Sequence, residues 1–163
     1  MKLFLLALAL ISACIYAQAQ TQPKASQNPN TDDAKAVAQV VENLFTAMKA
    51  KDAQAMSVLF IKDGQLVAID KPRAGDGPST IRIFNGDAFA KLIAESKGAD
   101  YIEQMKEPEV KIFGDMALVF GRYTFHVGDK FSHCGTNSFH LVRTAEGWKI
   151  ANIASTLEFN CNR

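Results

Sequence analysis

The sequence has no run of basic residues and no excess of either charge sign, with 18 Lys and Arg against 17 Asp and Glu. A nucleic-acid partner needs a positive footprint on phosphate, so this balance speaks against one. It also speaks against a polybasic membrane patch. No stretch beyond residue 19 is long and apolar enough to predict a membrane-spanning helix. The glycines, among them Gly64, Gly75 and Gly86, match no phosphate-loop spacing, and there is no G-x-S-x-G elbow. His126, His133 and His140 recur every seven residues, a spacing that fits no compact metal motif, so no metal is expected. Nothing in the pattern calls for a cofactor. Cysteine is scarce: Cys14, Cys134 and Cys161 are the only three, and none sits in a recognisable nucleophile motif.

What is present begins with an export signal. Lys2 precedes an unbroken apolar stretch from Leu3 to Ile11, and Ala17-Gln18-Ala19 matches the small-x-small cleavage pattern. Residues 1–19 are therefore expected to be removed, leaving Gln20 first. Lys2 is the only charged residue lost, so the mature chain carries 17 charges of each sign. Ile11-Ser12-Ala13-Cys14 offers an alternative, a lipid-modification box that would anchor the chain through Cys14. Secretion or periplasmic export implies an oxidising surrounding, in which Cys134 and Cys161 are disulfide candidates on the outward parity of neighbouring strands. Such a bridge would add on the order of 3 kcal/mol through loop closure.

Residues 20–32 are polar and hold no large apolar group, which predicts a disordered linker before a domain at 33–163. There is no internal repeat. Val37, Val40, Val41, Leu44, Phe45 and Met48 fall at steps of three and four, predicting a helix over 34–50 capped by Asp32 or Asp33. Asp52 is expected to cap a short helix carrying Met56, Leu59 and Phe60, stopped by Asp63-Gly64. Strands are expected at 66–70 and 81–84 around a Pro- and Gly-rich loop, then a third helix capped by Asp87 and ended by Gly98. The segments 109–113, 116–127, 130–143 and 148–159 read as strands with connections short enough to force antiparallel neighbours. Helices followed by a meander of long strands give an α+β class.

Three segments carry a family likeness. Val37–Phe60 (VAQVVENLFTAMKAKDAQAMSVLF), Gly114–Phe125 (GDMALVFGRYTF) and Phe139–Ile153 (FHLVRTAEGWKIANI) occur in the order of a two-helix opening, a central strand and a closing hairpin. Together they resemble the nuclear transport factor 2-like superfamily, in its ketosteroid isomerase-like and polyketide cyclase-like branch. The resemblance implies a cone-shaped curved antiparallel sheet wrapped around N-terminal helices, with a pocket at its open end. It matches no catalytic pattern of a specific enzyme, so it transfers no catalytic residue, and the fold alone does not fix function.

Strand parity then nominates the pocket. Phe139, Leu141, Trp148 and Ile150 should face the core, and continued alternation turns His133, Gly135, Asn137, Asn152, Ala154 and Thr156 inward. The resemblance places Ala117, Val119, Gly121, Tyr123 and Phe125 on that side too. A plain hairpin at Gly128-Asp129 would pair Tyr123 with Cys134, so a bulge at Gly121 or Gly135 is expected to reconcile them. The candidate polar set is Tyr123, His133, Asn137, Asn152 and Thr156, with Asp70 and Arg82 joining from the first hairpin. The glutamates Glu107 and Glu109 read as a solvated strand edge. Three functions fit: an exported domain binding a small, mostly apolar molecule; a cofactor-independent acid–base isomerase or dehydratase using Asp70, Tyr123 and His133; or a homodimeric interaction module. The last would use an outer face with Cys134, Ser138, His140 and Val142.

Overall fold

The computed structural model describes residues 31–74 and 77–161. The leader at 1–19, the start at Gln20, the Cys14 alternative and residues 20–30 of the linker lie outside that range. Helix α1 (Thr31–Ala50) starts earlier than its apolar stripe, so Thr31 and Asp32 belong to the helix rather than to a linker. Asp32 and Asp33 fall in its first turn, where the positive end of the helix dipole favours carboxylates. The stripe faces inward: Val37, Val41, Leu44, Phe45 and Met48 are all buried. Asp52 caps α2 (Ala53–Ser57), its Oδ1 accepting from the Ala55 N–H at 2.9 Å.

Phe60 is not helical; it opens strand β1 (Phe60–Asp70). The Ile150 N–H donates to the Leu59 carbonyl at 2.8 Å, drawing the chain onto the C-terminal strand immediately after α2. Asp63-Gly64 therefore sits at an irregularity inside β1, between Phe60 and Gln65. Strand β2 (Thr80–Asn85) follows, then α3 (Gly86–Ala94). The cap of α3 is Asn85, whose Oδ1 accepts from the Ala88 N–H at 2.7 Å; Asp87, the expected cap, is already in the first turn. Next comes β3 (Tyr101–Met105), a strand the sequence pattern did not announce. Strands β4 (Glu109–Phe113), β5 (Met116–Val127), β6 (Lys130–Thr144) and β7 (Gly147–Leu157) complete the chain.

The strands form one open, curved sheet in the order β2-β1-β7-β6-β5-β3, with β4 sharing the β5 edge with β3. Every pairing is antiparallel except β1 with β7. The helices cover the concave face, where Leu44, Met56, Phe139, Leu141, Ile150 and Ile153 are almost wholly buried. No described helix is long and apolar enough to cross a membrane.

Two bulges decide which side chains reach that concave face. Phe125 pairs with His133 but His126 pairs with Phe131, so Ser132 is the extra residue of β6. This restores Tyr123 and His133 to a common face, and it does so at Ser132 rather than at Gly121 or Gly135. The second bulge lies in β7: His140 pairs with Asn152 while Leu141 pairs with Ile150, leaving Ala151 unmatched. Beyond Ala151 the parity inverts, so Ile153, Ser155 and Leu157 line the concave side. Asn152, Ala154 and Thr156 are thereby turned to the outer face, against expectation.

Cys134 and Cys161 form a disulfide, with Cα atoms 6.2 Å apart across 27 residues. It ties the end of the chain to β6, beside a two-way backbone bridge between Cys134 and Glu158. On the outer face the register aligns Met116, Leu118 and Phe120 of β5 with Val142, His140 and Ser138 of β6. Met116 and Phe120 are exposed there.

Candidate functional site

Between the concave sheet and helices α1 and α3 lies a cavity of about 540 Å³. Its wall is mostly hydrocarbon and ring: Phe45 and Met48 from α1, Phe89 and Ile93 from α3, and Phe84, Tyr101, Phe125 and Phe139 from the strands. The size and apolar lining are those of small-molecule sites.

The polar groups form a connected chain on the floor. Asn137 is the one buried polar residue among the described residues, at 1 % exposure. Its Nδ2 donates to Glu103 Oε1 at 2.6 Å, and its Oδ1 accepts from the Ser155 hydroxyl at 2.7 Å. Ser155 lies 3.4 Å from the Tyr123 hydroxyl, which donates to the Thr156 carbonyl at 2.9 Å. Tyr123 can lie flat against β6 because its partner there is Gly135, which has no side chain to occupy the space.

Burial pushes the Glu103 carboxyl up to about 7, against the opposing hydrogen bond from Asn137. The same cause drives the Tyr123 phenol well above its ordinary range. His133 lines the cavity with its ring stacked on Phe125 at 4.6 Å and edge-on to Tyr123 at 5.8 Å. Burial pushes it down to about 4; Asp70 opposes the fall and Arg73 adds to it. Its Nδ1 is 3.1 Å from the Ser132 hydroxyl, so the bulged residue also fixes the ring. At neutral pH the cavity thus holds an uncharged imidazole and a carboxyl close to half-ionised.

Of the candidates from sequence, Tyr123, His133 and Asn137 line the cavity. Asp70 does not. Arg82, which does, grips it with two hydrogen bonds at 2.5 and 3.1 Å. Asn152 stands opposite His140 on the other side of the sheet, displaced by the Ala151 bulge. Thr156 faces outward too, its hydroxyl accepting from the Thr136 N–H at 3.0 Å, and its place in the floor is taken by Ser155. The acidic group on the cavity floor is therefore Glu103, which the sequence reading passed over, while Glu95 stands at the end of α3. Alternation of Tyr101, Glu103 and Met105 within YIEQM is the signal that could have found it.

The two perturbed groups make a testable pair. A carboxyl protonated more readily in the fold gives stability that is lost as pH rises from about 4.5 to about 7. A histidine kept neutral in the fold gives stability that is lost as pH falls from about 6.5 to about 4. Each slope amounts to about 2 kcal/mol after allowance for partial exposure. They oppose each other over nearly the same window, so the native protein should show a flat stability profile there. Glu103→Gln should expose a rise with pH and His133→Phe a fall, read by denaturant titration. Parallel profiles for both variants would contradict the assignment.

Among solved structures, the chain is similar to a nuclear transport factor 2-like protein with a cystatin-like fold from Novosphingobium aromaticivorans. The two are 17% identical over 78% of this chain and 82% of that one, with a TM-score of 0.62. A nuclear transport factor 2-like protein of unknown function from Shewanella baltica is 12% identical over 82% of this chain and 99% of its own, at 0.60. A candidate dehydratase of the same family from Streptomyces avermitilis is 16% identical over 81% and 100%, at 0.57. At these identities the likeness speaks for the fold alone. No curated protein matches the sequence. The SnoaL-like domain family matches residues 37–156, from the first turns of α1 almost to the end of β7. The chain therefore belongs to the SnoaL-like domain family, within the nuclear transport factor 2-like superfamily.

Proposed function

We propose that this is an exported domain that holds a small, mostly apolar molecule in the cone. The observation that carries the reading is the cavity itself: about 540 Å³, walled by rings and aliphatic side chains, with polar groups gathered at its floor. A few fixed polar groups in an apolar chamber give orientation, since a ligand that leaves them unpaired is penalised. Export is supported by the leader-like start of the sequence and by the Cys134–Cys161 bridge, which favours an oxidising compartment.

The test is a screen of small apolar fragments by protein NMR, repeated with Ala68→Phe. Ala68 lines the cavity at 4 % exposure, so a phenyl ring there fills it. Fragments should shift resonances of Phe125, Phe139 and Ile153 in the native protein and lose that effect in the variant. Fragments that bind both proteins alike would place binding elsewhere.

A second reading, proton transfer of the isomerase or dehydratase type, draws on one observation. Glu103 is pushed up to about 7 beside a largely apolar chamber, in the range suited to a general base or acid. Tyr123 and His133 stand on the same cavity face, while Asp70 is held by Arg82. Glu103 takes over the carboxylate role in this reading, and the candidate dehydratase among the structural neighbours is consistent with it. A homodimer through the outer face draws on the exposed Met116 and Phe120 beside Ser138, His140 and Val142.

A further inference from the structure

We infer that the preferred ligand is an organic amine whose ammonium group pairs with Glu103 while its apolar body fills the cone. The inference rests on the small-ligand reading above and names the ligand's chemistry. Glu103 is the one acidic side chain on the cavity floor; among the described residues it makes no ion pair, and its only hydrogen bond comes from Asn137. A carboxylate can accept about four hydrogen bonds, so most of its capacity is open.

The other floor groups bond largely to one another. Asn137 gives to Glu103 and takes from Ser155, and the Tyr123 hydroxyl gives to the Thr156 carbonyl. What the floor lacks is a positive donor. An unpaired carboxylate in an apolar chamber is costly, and a ligand cation removes that cost. The surrounding rings of Tyr101, Phe125 and Phe139 present π-faces and edges to the same space, a setting that suits ammonium groups.

An anionic ligand finds no equivalent welcome. Among the described residues Arg82 is the only cationic side chain lining the cavity, and Asp70 already neutralises it. Lys51 sits over the Tyr101 ring but spends its ammonium on the Ser96 and Gly98 carbonyls. Besides Glu103, the ionisable groups facing the cavity are Tyr101, Tyr123 and His133 from the strands, Glu95 at the end of α3, and Arg82. Near neutral pH His133 is uncharged. Near neutral pH the interior is therefore negative or neutral.

The experiment compares three probes with one ring and three heads: naphthylmethylamine, naphthylmethanol and naphthoate. Affinities are measured by calorimetry on the mature, disulfide-bonded protein at about pH 8 and about pH 5.5, on either side of the Glu103 transition. The amine should bind about tenfold more tightly than the alcohol at the higher pH, with naphthoate the weakest. That advantage should shrink at the lower pH, where Glu103 is protonated. Glu103→Gln should bring the amine down to the level of the alcohol, with its melting curve as the control for folding. An alcohol that binds at least as well as the amine at the higher pH overturns the inference and leaves the small-ligand reading standing; that comparison needs no variant. An amine preference that survives Glu103→Gln overturns it as well. If none of the three probes binds, the small-ligand reading falls and this inference with it.

Discussion

Gly135→Ala is expected to lower the melting temperature by on the order of 10 °C, corresponding to roughly 3–5 kcal/mol. A Cβ built on Gly135 would lie 1.7 Å from the Thr156 carbonyl oxygen and 2.7 Å from the Tyr123 ring. The first of these atoms is backbone, held by the pairing of Thr156 with Ile69 of β1, and cannot rotate away. Overpacking against a side chain costs about 1–3 kcal/mol, and a collision with a paired strand exceeds that range. The same carbonyl accepts the Tyr123 hydroxyl, so the shift that relieves the clash also breaks the last link of the floor. Ligand binding should weaken along with stability. Thermal unfolding of the purified variant is the check; a midpoint within about 3 °C of the native value would show that the two strands do not approach this closely.

Trp148→Ala should be comparably damaging, about 3–5 kcal/mol, the range for a large aromatic lost from a core. The indole is 6 % exposed and packs in the main hydrophobic cluster. It also supports the Arg143 guanidinium, 4.3 Å above the ring, which in turn binds Asp33 at 2.8 Å and Asp115 at 3.2 Å. Arg143 beside Asp33 holds that carboxyl below its ordinary value. Removing the indole thus leaves a hole and loosens the tie between the first turn of α1 and the β4–β5 turn. Trp148→Phe separates the two contributions. The indole N–H makes no close hydrogen bond among the described residues and adds only the smallest of the pulls that lower Asp33, so phenylalanine sacrifices chiefly volume. Its cost should be about 1–2 kcal/mol. Equal losses for Ala and Phe in chemical denaturation would assign a structural role to the N–H instead.

The elements with strong periodicity were legible from sequence, and those that depend on a single inserted residue were not. Val37 to Met48 wrote α1 plainly, and Gly114-Asp115 and Gly128-Asp129 bounded β4, β5 and β6 nearly to the residue. Asn137 was legible because it lies on the same side of both bulges as Phe139, from which its parity was counted. Asn152 was not, because Ala151 intervenes between it and Ile150 and inverts the count. A bulge leaves no compositional trace: Ser132 and Ala151 are ordinary strand residues, and only the partner strand shows that either is unmatched. Glu103 escaped for a different reason. Read alone, a glutamate between Ile102 and Gln104 looks like a solvated position. Only the pairing of β3 along β5 reveals that Glu103 lies beside Phe125 and faces the cavity.

The parallel pairing of β1 with β7 has a consequence for how the chain reaches this state. Phe60 finds its partner in Ile150, and Asp70 finds its partner in Leu157. The first hairpin therefore has no further strand partner until nearly the whole chain exists. Contacts this distant in sequence require loop closure before they return any stabilisation, which places the protein among slow folders. Up to that moment the sheet edge that β7 will cover, beside Leu66 and Ala68, stays unpaired. The window between synthesis of β1 and arrival of β7 is the interval in which this chain is most exposed to aggregation and in which a holding chaperone has most to protect.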